Sequence, residues 1–145
     1  MGQRRTLAPN ASNHCFGCGA ANEAGMKLQF ELDVDERRTH GRFALGANYR
    51  GGGGFAHGGI IAVVLDEAMG KLSKLTEERA VTAELSVEYR KPVPVDQEIV
   101  VQGWQTEEKG RNRFRAAEIH DARGNLLARG KGRFVVIDPK QFAPA

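Results

Sequence analysis

Hydrophobic and polar residues alternate along most of the chain, and this pattern predicts strands with one buried face. The alternation is strict over residues 26–34 and returns over 39–45, where Phe43 and Leu45 are expected to face inward. Beyond residue 79 the pattern predicts four more strands, over 80–88, 98–106, 113–120 and 126–137. The turn-forming residues at 107–110 and 121–125 join the last three as hairpins.

One segment breaks this alternation. From Gly58 the chain is hydrophobic over almost two helical turns, which predicts a helix buried on most sides and ending between residues 73 and 76. Asp66 and Glu67 interrupt the apolar run. A carboxylate buried in such an element is costly unless it is paired or used, so Asp66 is a candidate for chemistry.

The order of elements is two strands, one long helix and four strands. It predicts an α+β fold in which a curved antiparallel sheet wraps around one long central helix. The predicted domain spans residues 14–137, with an N-terminal arm over 1–13 and a C-terminal tail over 138–145.

Composition narrows the function classes. The 145 residues carry a net charge of +3, and the basic residues are mixed with acids, which argues against a nucleic-acid partner. No apolar run approaches the roughly 20 residues that a membrane span needs, and the N-terminus lacks a signal-peptide pattern. We therefore expect a cytoplasmic protein with no membrane partner.

The segment that contains Cys15 and Cys18 resembles half of a zinc site. These are the chain's two cysteines, and His40, His57 and His120 lack ligand spacing. We interpret the segment as a glycine-rich turn with packed cysteines, and we predict no metal and no cofactor. A redox pair, or a metal shared across a subunit interface, is the alternative.

The start of the helix is the second candidate for chemistry. Its unpaired N–H groups form the positive end of the helix dipole, and Gly58 and Gly59 leave that end open to a substrate carbonyl. Asp66 lies about 12 Å further along the helix, at 1.5 Å rise per residue. One helix therefore can hardly bring Asp66 and the Gly58 amide to the same carbon, whereas two antiparallel helices in a dimer can.

Four motifs together resemble the hotdog-fold acyl-CoA thioesterases of the PaaI-like branch, and the resemblance runs from about residue 15 to 136. The motifs are His57-Gly58-Gly59-Ile60, Leu65-Asp66-Glu67-Ala68-Met69-Gly70, Val81-Thr82-Ala83-Glu84-Leu85 and Tyr89-Arg90-Lys91-Pro92. The Cys15-Phe16-Gly17-Cys18-Gly19 opening is also similar to members of that superfamily. The resemblance implies a helix inside a sheet of five or six strands, and active sites built by two subunits.

The resemblance also implies roles for single residues. The Gly58 N–H would polarise the thioester carbonyl, and Asp66 of the partner would act as base or nucleophile. His57 would shape the loop and help to hold the substrate, and Thr82 would position the water or the acid. The residues implied to contact the acyl-CoA substrate are Gly59, Phe55, Tyr89, Arg90 and Lys91. The protein would be a homodimer, with a dimer of dimers as a further option.

One position departs from the family pattern, and several alternatives stay open. Gly51 stands where some branches place Gln or Asn. His57 could serve only as a helix cap, and Gly58 and Gly59 only for close packing. Arg90 and Lys91 could form a solvated strand end. The alternative function is a non-catalytic hotdog protein that binds acyl-CoA or a related ligand, while a dehydratase is disfavoured because its site is built differently around His.

Overall fold

In the computed structural model, residues 3–7 and 11–141 are described, and they form one antiparallel sheet and one α-helix. The strands are β1 (Arg4–Leu7), β2 (Phe30–Asp33), β3 (Arg38–Ala44), β4 (Ala80–Tyr89), β5 (Glu98–Lys109), β6 (Asn112–Asp121) and β7 (Leu126–Val136), and the helix is α1 (Gly58–Gly70). The seven strands lie in the order β1-β2-β3-β5-β6-β7-β4. The predicted α+β arrangement of antiparallel sheet and helix is confirmed.

Helix α1 buries one face against the sheet. Its buried residues recur at helical spacing and are Ile61, Val64, Leu65, Ala68 and Met69. The opposite face is half-buried, and Gly58 and Gly59 are exposed. The prediction of a helix buried on most sides is therefore wrong for a single chain, since only one side meets the curved sheet. A 3₁₀ turn over Lys71–Leu75 extends the helical segment to its predicted end.

The C-terminal end of α1 is fixed to the sheet by close contacts. A Cβ atom on Gly103 of β5 would lie 2.6 Å from the Ala68 carbonyl oxygen, so a glycine is needed beneath the helix there. The Thr39 hydroxyl donates a 2.6 Å hydrogen bond to that same oxygen. The buried Arg115 guanidinium also donates to the Met69 carbonyl at 3.0 Å, which places a cation at the negative end of the helix.

Strand β4 forms one edge of the sheet and runs beside α1. Residues directly paired across two antiparallel strands share a face of the sheet. Four β4 residues pair with buried β7 residues on the helix side, as Thr82↔Phe134, Leu85↔Gly132, Val87↔Gly130 and Tyr89↔Ala128. The register shifts between Thr82 and Glu84, which is a bulge, and a bulge re-aims neighbouring side chains.

Two sequence predictions about strands are wrong. Arg4–Leu7 falls within the predicted N-terminal arm over residues 1–13, where no strand was expected. It pairs with β2, which raises the sheet from the implied five or six strands to seven. The strand predicted from residue 26 begins only at Phe30, because the N–H groups of Met26 and Leu28 bond to the loop carbonyls of Phe16 and Gly17.

The remaining strand predictions are confirmed to within three residues at each end. The parts of the predicted arm and tail at residues 1–2, 8–10 and 142–145 lie outside the described residues. Within the described ranges, no helix has the length and apolar character needed to cross a membrane.

Candidate active site

Asp66 is held by a hydroxyl from the neighbouring strand. It lies on the half-buried face of α1, and its Oδ1 accepts a 2.7 Å hydrogen bond from Thr82 Oγ1 on β4. Thr82 sits immediately before the β4 bulge. The bond fixes one carboxylate oxygen and leaves Oδ2 available for a proton or a bond to a substrate.

The start of α1 presents an amide without a partner. His57 is the N-cap residue, and its Nδ1 accepts a 2.9 Å hydrogen bond from the Gly59 N–H. The Gly58 N–H, at the first helical position, has no hydrogen-bond partner within residues 3–7 and 11–141. His57 therefore caps the helix, which was the alternative interpretation of this residue. Its bond is to the Gly59 N–H, so the Gly58 amide stays available to a ligand.

Tyr89 reaches the same end of the helix from the end of β4. Its hydroxyl donates a 2.7 Å hydrogen bond to the Gly58 carbonyl oxygen. A Cβ atom on Gly58 would approach this hydroxyl only to 3.5 Å, which is an ordinary contact. Packing within the chain therefore does not require glycine at position 58, and the packing-only alternative loses its support there.

A shallow depression lies beside the helix start. It encloses about 430 Å³ and is lined by Asn48, Tyr49, Arg50, His57, Gly59, Ile60 and Val63. Sequence reasoning did not assign the loop residues Asn48 and Arg50, or Ile60 and Val63 of the helix, to the site. The sequence signal for the loop residues was a polar and basic segment directly before the helix start. The sequence alone does not show that this loop folds back onto the helix.

Three of the residues that were predicted to contact the substrate are not linked to Asp66 or Gly58 by any hydrogen bond or ion pair among the described residues. Phe55, Arg90 and Lys91 are exposed, and no hydrogen bond or ion pair joins their side chains to Asp66 or Gly58 in the described part of the chain. Arg90 instead forms an exposed ion pair with Glu88 at 3.1 Å. Their predicted role in binding the substrate remains a prediction.

The N-terminal cysteines meet an acid of α1. Cys15 Sγ lies 3.4 Å from Glu67 Oε1, and the ligand atoms of Cys15, Cys18 and Glu67 all lie within 4.8 Å of one another. Cys18 is buried and Cys15 half-buried, so the prediction of packed cysteines holds fully only for Cys18. A second group that a cation could bind, formed by Asp33, Glu36 and His40, lies at the turn between β2 and β3.

Comparison with known proteins identifies the family. The model of the thioesterase superfamily matches residues 53–128. Acyl-coenzyme A thioesterase THEM4 of Mus musculus is 32% identical over 122 residues, which cover 82% of this chain and 53% of that protein. The chain thus spans about half the length of the curated relatives it matches.

Solved structures share the fold. A crystal structure of a thioesterase superfamily protein superposes with a TM-score of 0.78 at 26% identity, over 86% of this chain and 61% of that one. A Bacillus halodurans protein solved with CoA has a TM-score of 0.68 at 24% identity, over 77% and 75%. The chain belongs to the thioesterase superfamily and has the hotdog fold that its sequence motifs implied.

Proposed function

We propose that this protein is a homodimeric acyl-CoA thioesterase in which Asp66 of one copy and the Gly58 amide of the other act on the same thioester. The observation that carries the proposal is the 2.7 Å bond from Thr82 to Asp66, which orients one of the two carboxylates that interrupt the apolar sequence of helix α1. A carboxylate that is held by one oxygen and keeps the other free is the arrangement that a general base needs.

Asp66 Oδ2 accepts a proton from water while the water oxygen attacks the thioester carbonyl. Because Thr82 already occupies Oδ1, the carboxylate has one defined oxygen for this task. The tetrahedral intermediate then breaks its C–S bond, the CoA thiolate takes the proton from Asp66, and the carboxylic acid leaves. The same geometry also serves direct attack by Asp66, which forms an anhydride that water then hydrolyses.

The Gly58 N–H supplies the oxyanion donor. It stands at the positive end of α1 without a partner in the described residues, while His57 takes up the Gly59 N–H and Tyr89 anchors the Gly58 carbonyl. The peptide that carries the amide is therefore fixed before the substrate arrives. Such preorganised donors are often the largest single contribution to acyl transfer.

A second copy is needed because the two groups are separated. Gly58 and Asp66 are eight residues apart on one helix, or about 12 Å at the α-helical rise. Among the described strands, edge strand β4 pairs on one side only, and it exposes Val81, Leu85 and Tyr89 at 48%, 37% and 52%. An exposed apolar edge favours pairing with another chain. A second copy placed there would bring its own helix start near Asp66.

Acyl-CoA is the substrate class that best fits the chain. The matched relative from Mus musculus is named an acyl-coenzyme A thioesterase, and the similar fold from Bacillus halodurans was solved with CoA. Arg50 lines the depression at the helix start, and Arg90 and Lys91 are exposed just after β4. These cations suit the phosphates of CoA. Gly59 and Phe55 are further proposed contacts of the substrate.

The test is thiol release from a panel of short, medium, long and aromatic acyl-CoAs. Asp66→Asn keeps an acceptor for Thr82 but removes the base, so kcat is expected to fall by about 10²–10⁴-fold. Asp35→Asn, on the exposed turn between β2 and β3, is the matched control and should retain activity. Undiminished turnover in Asp66→Asn contradicts the mechanism. Calorimetric binding of acyl-CoA without thiol release by the wild type would instead favour a non-catalytic binding protein.

A further inference from the structure

The segment that carries the two cysteines is folded tightly onto helix α1. The Gly19 N–H closes a turn on the Cys15 carbonyl at 2.8 Å, and Asn13 Oδ1 accepts from the Cys15 N–H at 3.0 Å. Gly17 lies directly over Glu67: a Cβ atom at position 17 would stand 2.6 Å from Glu67 Oε1. Only a glycine lets the loop come this close to that carboxylate.

Three groups with affinity for soft or borderline cations meet beneath this turn. Cys15 Sγ is 3.4 Å from Glu67 Oε1, and the atoms of Cys15, Cys18 and Glu67 span at most 4.8 Å. In a tetrahedral zinc site, bond lengths of about 2.3 Å to sulfur and 2.1 Å to oxygen give sulfur–oxygen separations of about 3.6 Å. The separation between Cys15 Sγ and Glu67 Oε1 is therefore close to a coordinating distance, and the Cys18 sulfur lies within 4.8 Å of both atoms.

The geometry points to a divalent-cation site, of the kind that zinc fills, with Cys15, Cys18 and Glu67 as protein ligands and water in the fourth position. The site goes beyond the thioesterase activity and does not depend on it. It ties the N-terminal loop to α1, two segments that are 52 residues apart at Cys15 and Glu67. The sequence expectation of no metal rested on the lack of a third ligand, and Glu67 supplies one.

The surroundings balance the charge of such a site. Two thiolates and one carboxylate carry three negative charges, so a divalent ion leaves one. The ammonium of Lys71 lies 3.8 Å from Glu67 Oε2, with both side chains largely buried, and offsets that charge. Asn13 Nδ2 lies 3.7 Å from Cys18 Sγ and can donate to it. Outer partners of this type orient and support metal ligands.

The same neighbourhood argues against a redox pair. Burial is the main cause that raises the pKa of the Cys18 thiol to about 11, and the Glu67 carboxylate raises it further, although Lys71 acts in the opposite sense. Reactive redox cysteines have lowered pKa values instead.

Glu67 and Asp66 point in different directions. Successive helical residues are about 100° apart around the axis, so Asp66 faces Thr82 on β4 while Glu67 faces the cysteine loop. The cation site is therefore structural and separate from the proposed active site.

The experiment uses the full chain, stripped with a chelator and fully reduced with a phosphine, then titrated with Co²⁺ and Zn²⁺. Because the chain has two cysteines in total, a thiolate-to-cobalt charge-transfer band locates the ion at this site. We expect the charge-transfer band, together with d–d bands of the intensity typical of tetrahedral Co²⁺, at one equivalent of Co²⁺ per chain. Zn²⁺ should displace the bound Co²⁺, and adding Zn²⁺ should raise the Tm of the protein.

Cys15→Ser and Cys18→Ser should each lower the intensity of the band, the double variant should lose it, and Glu67→Gln should weaken binding by at least about tenfold. Glu36→Gln, in the separate Asp33, Glu36 and His40 group, is the matched control and should bind like the wild type. Circular dichroism of Glu67→Gln keeps the result interpretable if a cysteine variant does not fold. Absence of a charge-transfer band in the reduced wild type overturns the proposal, as does unchanged binding in Glu67→Gln.

Discussion

The hydroxyl of Thr82 stands 2.7 Å from Oδ1 of Asp66 and joins the edge strand β4 to the half-buried face of α1. The register of β4 places Tyr89, near the other end of the strand, on the carbonyl of Gly58. One strand therefore positions both the acid and the free amide of the proposed site.

Replacing Thr82 tests how much that orientation matters. Thr82→Val keeps the shape but leaves Oδ1 without its donor, so kcat for the best acyl-CoA should fall about tenfold, equivalent to about 1.4 kcal/mol. Thr82→Ser restores a hydroxyl and should stay near the wild type. A loss in Thr82→Ser with full activity in Thr82→Val would mean that the methyl group, and not the hydrogen bond, is what the site needs.

The Gly58 amide can be removed with little change to the backbone. Proline is favoured at the first position of a helix, and the ψ of 137° at His57 suits the residue before a proline. Gly58→Pro deletes the N–H, and the loss of one oxyanion donor should lower kcat by about 10²–10³-fold. The measurement is thiol release, with circular dichroism to check the fold.

Gly58→Ala is the matched control for that experiment. Its Cβ would meet Tyr89 at an ordinary contact of 3.5 Å while the N–H is kept, so activity should be largely retained. A large loss in Gly58→Ala together with a small one in Gly58→Pro would assign position 58 a steric role and refute the oxyanion donor.

Local signals made much of this architecture predictable. The apolar run after Gly58 marks the helix, and alternation marks β4 to β7, because each pattern repeats within a few residues. Asp66 stood out because a carboxylate conflicts with its apolar neighbours. The motif resemblance predicted Thr82 as a site residue. Its contact with Asp66 lies next to a bulge in β4 that the sequence does not predict.

Long-range contacts explain what the sequence could not predict. The bond from Tyr89 to Gly58 spans 31 residues and follows from the exact register of β4 on β7. Cys15 meets Glu67 across 52 residues, through a loop whose course depends on Gly17. The strand Arg4–Leu7 shows little pattern because three of its four residues are exposed, so no buried face marked it.

The pair of Glu78 and Arg113 predicts a pH dependence of stability. Hydrogen bonds from Arg113, at 2.7 Å and 3.2 Å, are the main cause that lowers the pKa of Glu78 below its ordinary value of 4.5. A carboxyl whose pKa is lowered by folding stabilises the native state above its unfolded pKa, and this contribution is lost as the pH falls through its folded pKa.

The expected result is therefore a Tm that is lower in Glu78→Gln than in the wild type at pH 7, with a gap that narrows as the pH falls below 4.5. Scanning calorimetry across that range measures it. Glu77→Gln, at the exposed neighbouring position, is the control and should follow the wild-type curve. A gap that stays constant with pH would show that the charge of Glu78 is not what stabilises the fold.

Mixed dimers test whether the active site is shared between two copies. Gly58→Pro and Asp66→Asn each remove one of the two groups, so each pure variant should be nearly inactive. If each site takes Gly58 from one copy and Asp66 from the other, a mixed dimer contains one intact site and one doubly defective site. Random reassembly makes half of the dimers mixed, so activity should return to about a quarter of the wild-type value. If both groups of one site came from the same chain, every site in a mixed dimer would keep one defect, and activity would stay at the level of the parent variants.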